Sequence, residues 1–312
     1  MKIVFMGSSS FSLPSLEAIK NEGYQVPLVF TTPDKPRGRG RKVGETPVKI
    51  WCKENSLSVY QPDDLRKGEV IQKLKEIKPD LIVVVAYGKI LPQDILKIPP
   101  LGCVNLHPSL LPELRGAGAI NWAIILGKER TGVTTFFMDE GMDSGDIIFQ
   151  KEVRIEEEDN SLILSRKLAR EGAGLLMQTI SAIEKGEAPR IPQIGIPTYA
   201  PLLSKETGRI KWIKSAREIH NLVRGTIPWP TAYTFLGKIR IIFWMTDVEE
   251  GDSEGDPGEI REISPHFIKV STGKGYLLVK ELQREGRKRM RVEEFLKGFP
   301  LKKGDLFKSY PL

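Results

Sequence analysis

Along the first two hundred residues, short apolar runs alternate with stretches of helical period. Residues 2–6, 26–30, 81–85, 103–106, 132–138 and 146–153 read as strands. The run Leu81-Ile82-Val83-Val84-Val85 is apolar without a break, the pattern of a central parallel strand covered on both faces. Residues 11–21, 45–54, 68–77 and 118–126 carry helical spacing, with Leu13, Leu16 and Ile19 on one side of the first. Pro47 falls in the first turn of the second helix, where no amide donor is needed. A long helix is predicted over 161–184, with Ser161 as its N-cap behind the acidic run 156–159. Alternating strands and helices predict an α/β fold, an open and mostly parallel sheet with helices on both faces. In such a sheet, ligands bind beyond the carboxyl ends of the strands.

The texture changes after residue 186. Pro189, Pro192, Pro197 and Pro201 fall in a stretch with no sustained period, which is expected to be a linker. Beyond it, a short helix over 215–224 precedes strand-like runs at 233–236, 240–244, 258–263, 267–270 and 276–282. Short strands at this density suggest a small β-barrel, an OB-like barrel being one option. The expected division is a catalytic domain over 1–188, a linker over 189–206 and a barrel domain over 207–312.

Composition narrows the class. Hydrophobic residues at 40% and charged residues at 28% are globular proportions and exclude wholesale disorder. No run of about 18 apolar residues is free of charge, which argues against a spanning helix. The N-terminal Met1-Lys2-Ile3-Val4-Phe5-Met6 reads as a first strand rather than a secretion signal. Cys52 and Cys103 are too few for a disulfide framework or a four-ligand zinc site. His107, His220 and His266 lack helical ligand spacing, so a metal-free cytoplasmic protein is expected. The turn Gly7-Ser8-Ser9-Ser10-Phe11 has no spaced glycines, which counts against a dinucleotide cofactor.

Charge is distributed unevenly. Residues 205–312 hold 21 basic and 15 acidic side chains, 21 − 15 = +6 of the overall +7. A basic domain suits a polyanionic partner, although a lysine-rich solvated surface gives the same count. The run Pro33-Asp34-Lys35-Pro36-Arg37-Gly38-Arg39-Gly40-Arg41-Lys42 is sharper. It sets five cations against one anion and has nothing to bury, so it is expected to be a poorly ordered loop after a strand. Such a loop either wraps a phosphate backbone or is simply a solvated surface.

The candidate chemistry sits in residues 104–116. Asn105 and His107 alternate on one strand, so their side chains share a face. A histidine is ready to move a proton near neutral pH, and an asparagine amide can donate to a developing oxyanion. The acidic, glycine-rich turn from Asp139 to Asp146 also follows a strand and can bring a carboxylate to the same sheet edge. Singly, each is an ordinary structural feature. Together they suit acyl transfer without a covalent enzyme intermediate.

Asn105-x-His107, Ser109-Leu110-Leu111-Pro112, Arg115-Gly116 and Gly141-Met142-Asp143-Ser144-Gly145-Asp146 resemble the signature of the tetrahydrofolate-dependent formyltransferases. The resemblance implies a Rossmann-like domain with Asn105, His107 and Asp143 as catalytic residues. It implies 10-formyltetrahydrofolate as formyl donor and no metal. The folate-binding loop corresponds to Ser109, Leu110, Leu111 and Pro112, with Ala86, Tyr87 and Gly88 completing the pterin slot. The basic run resembles the insertion found in the branch of the family that formylates methionyl initiator tRNA, which implies tRNA contacts from Arg37, Arg39, Arg41 and Lys42. Gln61-Pro62-Asp63-Asp64-Leu65-Arg66, Ala86-Tyr87-Gly88-Lys89-Ile90-Leu91-Pro92, Pro228-Trp229-Pro230 and Lys288-Arg289-Met290 resemble the same branch, so the likeness spans nearly the whole chain. The barrel would then help hold tRNA, and a monomer is expected. Gly7-Ser8-Ser9 and Ala117-Gly118-Ala119 depart from the family pattern at pocket walls, not at the three polar residues. Two other readings stand beside this one. Relatives that formylate an amino-sugar nucleotide share the three polar positions but tend to lack the basic loop. A non-catalytic RNA-binding protein on this fold would not need all three positions filled.

Overall fold

The computed structural model describes residues 1–37 and 42–311. It resolves into two compact units. The first comprises Met1–Ala119, Arg130–Arg154 and Ser165–Pro201, and the second Ile120–Glu129, Ile155–Leu164 and Leu202–Leu312.

The first unit is built on strands β1 (Ile3–Gly7), β2 (Val29–Phe30), β5 (Val59–Tyr60), β6 (Leu81–Val85), β7 (Cys103–His107), β8 (Arg130–Phe137) and β9 (Ile147–Arg154). They form one sheet in the order β5-β2-β1-β6-β7-β8-β9. The first five strands run parallel, and β8 and β9 are added antiparallel. β1 and β6 are buried along their whole length, as unbroken apolar runs must be at the centre of a two-sided sheet. Helices α1 (Leu13–Asn21), α2 (Pro47–Glu54), α3 (Gly68–Ile77) and α4 (Gln93–Leu96) connect these strands. α5 (Ala119–Ile125) follows β7, and α6 (Ser161–Glu184) follows β9. The strand order reverses between β1 and β6, which opens a crevice at their carboxyl ends. Ser8 bridges that crevice: its amide donates to Ala86 O at 3.2 Å and its hydroxyl to Tyr87 O at 3.0 Å.

Three expectations change. The cap of α6 is Asn160, whose Oδ1 accepts the Leu162 and Ile163 amides at 3.0 and 3.1 Å, while the Ser161 hydroxyl donates to Ile227 O. The basic run is not wholly loop. Its flanks pair as an antiparallel ribbon of β3 (Lys35–Arg37) and β4 (Lys42–Gly44). The expected linker belongs to the first unit as far as Pro201. Its amides are paired one by one with irregular partners, Ile191 with Ile147 O at 3.0 Å, Thr198 with Pro112 O at 3.3 Å and Ala200 with Arg115 O at 2.7 Å. Pairing to a loop leaves no periodic signal in the sequence.

In the second unit, α7 (Ala216–Gly225) is followed by β10 (Ala232–Leu236), β11 (Ile239–Glu249), β12 (Ile260–Ile263), β13 (Ile268–Ser271), β14 (Tyr276–Arg284), β15 (Met290–Arg291), α8 (Val292–Gly298) and β16 (Phe307–Lys308). The antiparallel sheet runs β12-β13-β14-β11-β10-β16, with β15 on β14. Its edges meet at a bridge between Glu259 and Leu306, so the sheet curls into a small barrel. Trp212 fills the interior, stacked on Phe307 at 5.9 Å between centroids and edge-on to Phe243 at 6.1 Å. Its indole N–H donates to Thr234 Oγ1 at 2.9 Å, satisfying the one polar atom it buries.

Candidate active site

β7 carries Asn105 and His107 to the carboxyl edge of the first unit's sheet, between β6 and β8. Val104 and Leu106 point to the other face and are buried there. His107 is 5% exposed, so its ring is fixed by its surroundings. Asn105 is half-buried, and its amide makes no hydrogen bond to another described residue. A polar group left open at a strand end is available to a ligand.

The two ring nitrogens of His107 face different partners. Nε2 lies 2.9 Å from Leu114 O, and Nδ1 lies 3.6 Å from Asp143 Oδ2. A carbonyl oxygen only accepts, so Nε2 carries the proton and donates it to Leu114. The lone pair of the neutral ring is then on Nδ1, towards Asp143. The Leu114 carbonyl holds the ring's orientation, while the Asp143 carboxylate at 3.6 Å lies beyond hydrogen-bond contact. Asp143 Oδ2 itself accepts the Gly116 amide at 2.7 Å.

The backbone around these groups is tightly constrained. Asp143 has φ +51°, a left-handed conformation that a short polar side chain tolerates, and Leu114 has φ +56°. Gly116 has φ +104°, and a Cβ there would meet Ala200 O at 2.9 Å. A Cβ at Gly145 would overlap the Phe137 carbonyl, so the acidic turn can fold back on β8 only with glycine at that point.

Residues 191–200 form a strap over these loops. The Gln193 side-chain oxygen accepts from Arg115 at 2.6 Å, and its amide donates to Asp143 O at 2.8 Å and Gly145 O at 2.9 Å. Thr198 Oγ1 accepts the Leu114 amide at 2.8 Å, and Thr198 O accepts the Arg115 amide at 2.8 Å. Gln193 and Thr198 were not expected from the sequence, and Leu114 and Gly116 were named only as part of the stretch 104–116, with no role. The partners of the Gln193 and Thr198 side chains lie 48 to 84 residues away in the chain, and no local pattern marks them.

The expected folate-binding residues divide by burial. Ser109 is fully buried, with its hydroxyl on Glu113 O, and Leu111 packs with Phe136 and Ile147. Their side chains have no face left for a ligand. Leu110 and Pro112 are half-buried, with Leu111–Pro112 a cis peptide bond. Thr134 and Gln150 hold this loop from below, through Ser109 O at 2.6 Å and Leu111 O at 2.9 Å. Ala86 and Gly88 are exposed at φ +46° and +82°, whereas the Tyr87 ring lies in the core beneath the sheet. Burial pushes the Tyr87 phenol well above its usual range, so it serves packing rather than proton transfer. A cavity of about 740 Å³ lined by Lys75, Lys78, Asp80 and Lys97 lies where β6 and β7 begin, away from this edge.

Of the expected tRNA contacts, Arg39 and Arg41 lie outside the described residues, and Arg37 and Lys42 are described as backbone of the ribbon. The base of the ribbon is anchored. Asp34 accepts from Lys49 at 2.5 Å and from Gln61 at 2.8 Å, which holds its carboxyl below the usual range. The lone anion of the basic run is thus neutralised locally.

Residues 1–180 match the formyl transferase family model, and residues 202–300 match the model of the formyl transferase C-terminal domain. The chain is 49% identical to the methionyl-tRNA formyltransferase of Clostridioides difficile (strain 630), covering 97% of this chain and 99% of that protein. It is 46% identical to the methionyl-tRNA formyltransferase of Alkaliphilus oremlandii (strain OhILAs), covering 98% and 99%. Among solved structures, the N-formyltransferase from Helicobacter canadensis in complex with folinic acid and dTDP-3-aminofucose has the same fold, with TM-score 0.69, 18% identity and coverage of 93% of this chain and 100% of that one. HypX from Aquifex aeolicus in complex with tetrahydrofolic acid aligns at TM-score 0.65 and 20% identity over 99% of this chain, which spans half of that protein. Both domain matches and the near full-length relatives agree: the chain belongs to the formyl transferase family.

Proposed function

We propose that this protein transfers the formyl group of 10-formyltetrahydrofolate to the amino group of methionyl initiator tRNA. The observation that carries the reading is identity of 45–49% to methionyl-tRNA formyltransferases over 97–98% of the chain. The convergence of Asn105, His107 and Asp143 at one sheet edge supports it. The neutral amine attacks the formyl carbon, and the Asn105 amide donates to the oxyanion that forms. Nδ1 of His107 takes the proton that the amine loses, and the Asp143 carboxylate 3.6 Å away stabilises the resulting cation. Collapse re-forms the carbonyl and breaks the bond from formyl carbon to N10. The proton held by His107 passes to N10, leaving tetrahydrofolate and the formamide. The pterin slot is lined by the exposed Ala86 and Gly88 and the half-buried Leu110 and Pro112. Arg37, Arg39, Arg41 and Lys42 give the tRNA phosphates a cationic partner, and residues 205–312 add a further net +6.

A formylation assay with 10-formyltetrahydrofolate and three acceptors tests the reading. Charged methionyl initiator tRNA should be formylated, and free methionine and a dTDP-linked amino sugar should not. Preferred formylation of the sugar nucleotide would move the protein to the other branch of the family. No formyl transfer to any acceptor would favour a non-catalytic binding protein.

A further inference from the structure

We infer that the strap over residues 191–200 is a positioning element that holds both proton-handling groups of the site, through Gln193 on the Asp143 side and Thr198 on the His107 side. The inference rests on the catalytic reading of His107 and Asp143 given above. Gln193 uses its whole side-chain amide: both N–H groups donate to backbone carbonyls of the acidic turn, at Asp143 and Gly145, and its oxygen accepts from Arg115. It therefore pins the turn on either side of Ser144 and ties it to the loop that carries Gly116. That loop returns the favour to Asp143 through the Gly116 amide. Asp143 sits at φ +51°, in the left-handed region, with the turn held in that conformation from both sides.

Thr198 acts on the other group. Its Oγ1 fixes the Leu114 amide at 2.8 Å, and the carbonyl of Leu114 orients the His107 ring at 2.9 Å. Leu114 is itself at φ +56°, so its peptide plane needs holding from outside. The adjacent Arg115 backbone pairs both ways with the strap, donating to Thr198 O at 2.8 Å and accepting from Ala200 N at 2.7 Å. The hydrogen bonds of the Gln193 and Thr198 side chains go to Arg115 and to backbone groups, not to the His107 ring or the Asp143 carboxylate. One short segment thus sets two positions, the carboxylate and the imidazole, whose separation decides where the proton goes. A placement error of about 1 Å in such a pair is enough to cost roughly a hundredfold in rate.

The test compares Thr198→Val, Thr198→Ser and Gln193→Glu with the parent in tRNA formylation. Valine matches threonine in shape and removes only the acceptor, and serine restores it. Glutamate keeps the oxygen for Arg115 and removes both donors to the turn. For Thr198→Val and Gln193→Glu, kcat is expected to fall by about tenfold or more, with KM for both substrates within about threefold of the parent and only a modest fall in the melting midpoint. Thr198→Ser is expected to recover most of the lost kcat. A loss carried by KM, a Thr198→Ser variant as poor as Thr198→Val, or parental kcat in both damaged variants would overturn the inference. Asp143→Asn in the same assay separates this from the reading beneath it. If Asp143→Asn turns over normally, the catalytic reading fails; if it is inactive while Thr198→Val and Gln193→Glu are normal, only the strap inference fails.

Discussion

The carbonyl oxygen of Leu114 lies 2.9 Å from Nε2 of His107, closer than the Asp143 carboxylate comes to the ring's other nitrogen. A backbone carbonyl is a fixed acceptor that does not titrate. It therefore holds one tautomer of the imidazole and leaves the lone pair on Nδ1, the nitrogen that the proposed mechanism uses. In the proposed mechanism Asp143 is then free of the orienting task and acts through its charge. The amide of Gly116 fixes that charge in place.

The Asn105 side-chain amide makes no hydrogen bond to another described residue, so its replacement leaves no buried group stranded. Asn105→Ala is expected to reduce kcat by about 100- to 1000-fold, the usual consequence of losing one oxyanion donor. The melting midpoint should move little. Steady-state kinetics with a thermal melt on the same preparation checks both halves.

Gly116→Ala is expected to damage activity more than stability. The substitution strains a residue at φ +104° and pushes on Ala200 O, and relief moves the amide away from Asp143. Strain of this kind costs on the order of 1–3 kcal/mol. The expected signature is a loss in kcat larger than tenfold alongside a modest fall in the denaturation midpoint.

The buried His220 gives the fold an acid sensitivity separate from catalysis. Burial, reinforced by the Arg224 and Arg217 charges, pushes its imidazole down to about 4. An unfolded histidine titrates near about 6.5, so between these values the unfolded chain binds the extra proton. The His220 contribution is therefore constant above the unfolded value, falls as pH drops towards 4, and levels off below it. The loss is on the order of 3 kcal/mol. Denaturant melts at pH 7 and pH 4 should show it, and His220→Gln should flatten the slope.

The basic ribbon makes a salt-dependent prediction. Each cation that neutralises a phosphate releases counterions, so Arg39→Ala should lower the slope of log affinity against log salt by about one unit. tRNA use should fall while folate affinity stays near the parent value. Arg39→Lys should recover only part, because the planar guanidinium is lost. Parental tRNA formylation by Arg39→Ala at every salt concentration would reduce the ribbon to a solvated surface.

Which parts of the molecule could be read from the chain follows from where their signals lie. Residues 68–77, 81–85 and 161–184 match α3, β6 and α6 to the residue, because each carries an unbroken period. β11 extends to Glu249, five residues beyond the run at 240–244, because register shifts at Phe243, Met245 and Thr246 break its alternation. Asn105 and His107 stood out as two polar residues alternating on an apolar strand. The Leu114 carbonyl could not, since a backbone acceptor has no residue type. Gln193 and Thr198 were hidden for the same reason: every one of their recorded partners is a backbone group except Arg115.

The most direct measurement is the single-turnover rate of formyl transfer to methionyl initiator tRNA by Asp143→Asn and His107→Ala, with tRNA and folate affinities taken on the same proteins. A fall of about 100-fold or more in rate is expected for each variant, with both affinities within about threefold of the parent. A near-parental rate in either variant at saturating substrates would contradict the assignment of proton transfer to His107 and of its stabilisation to Asp143.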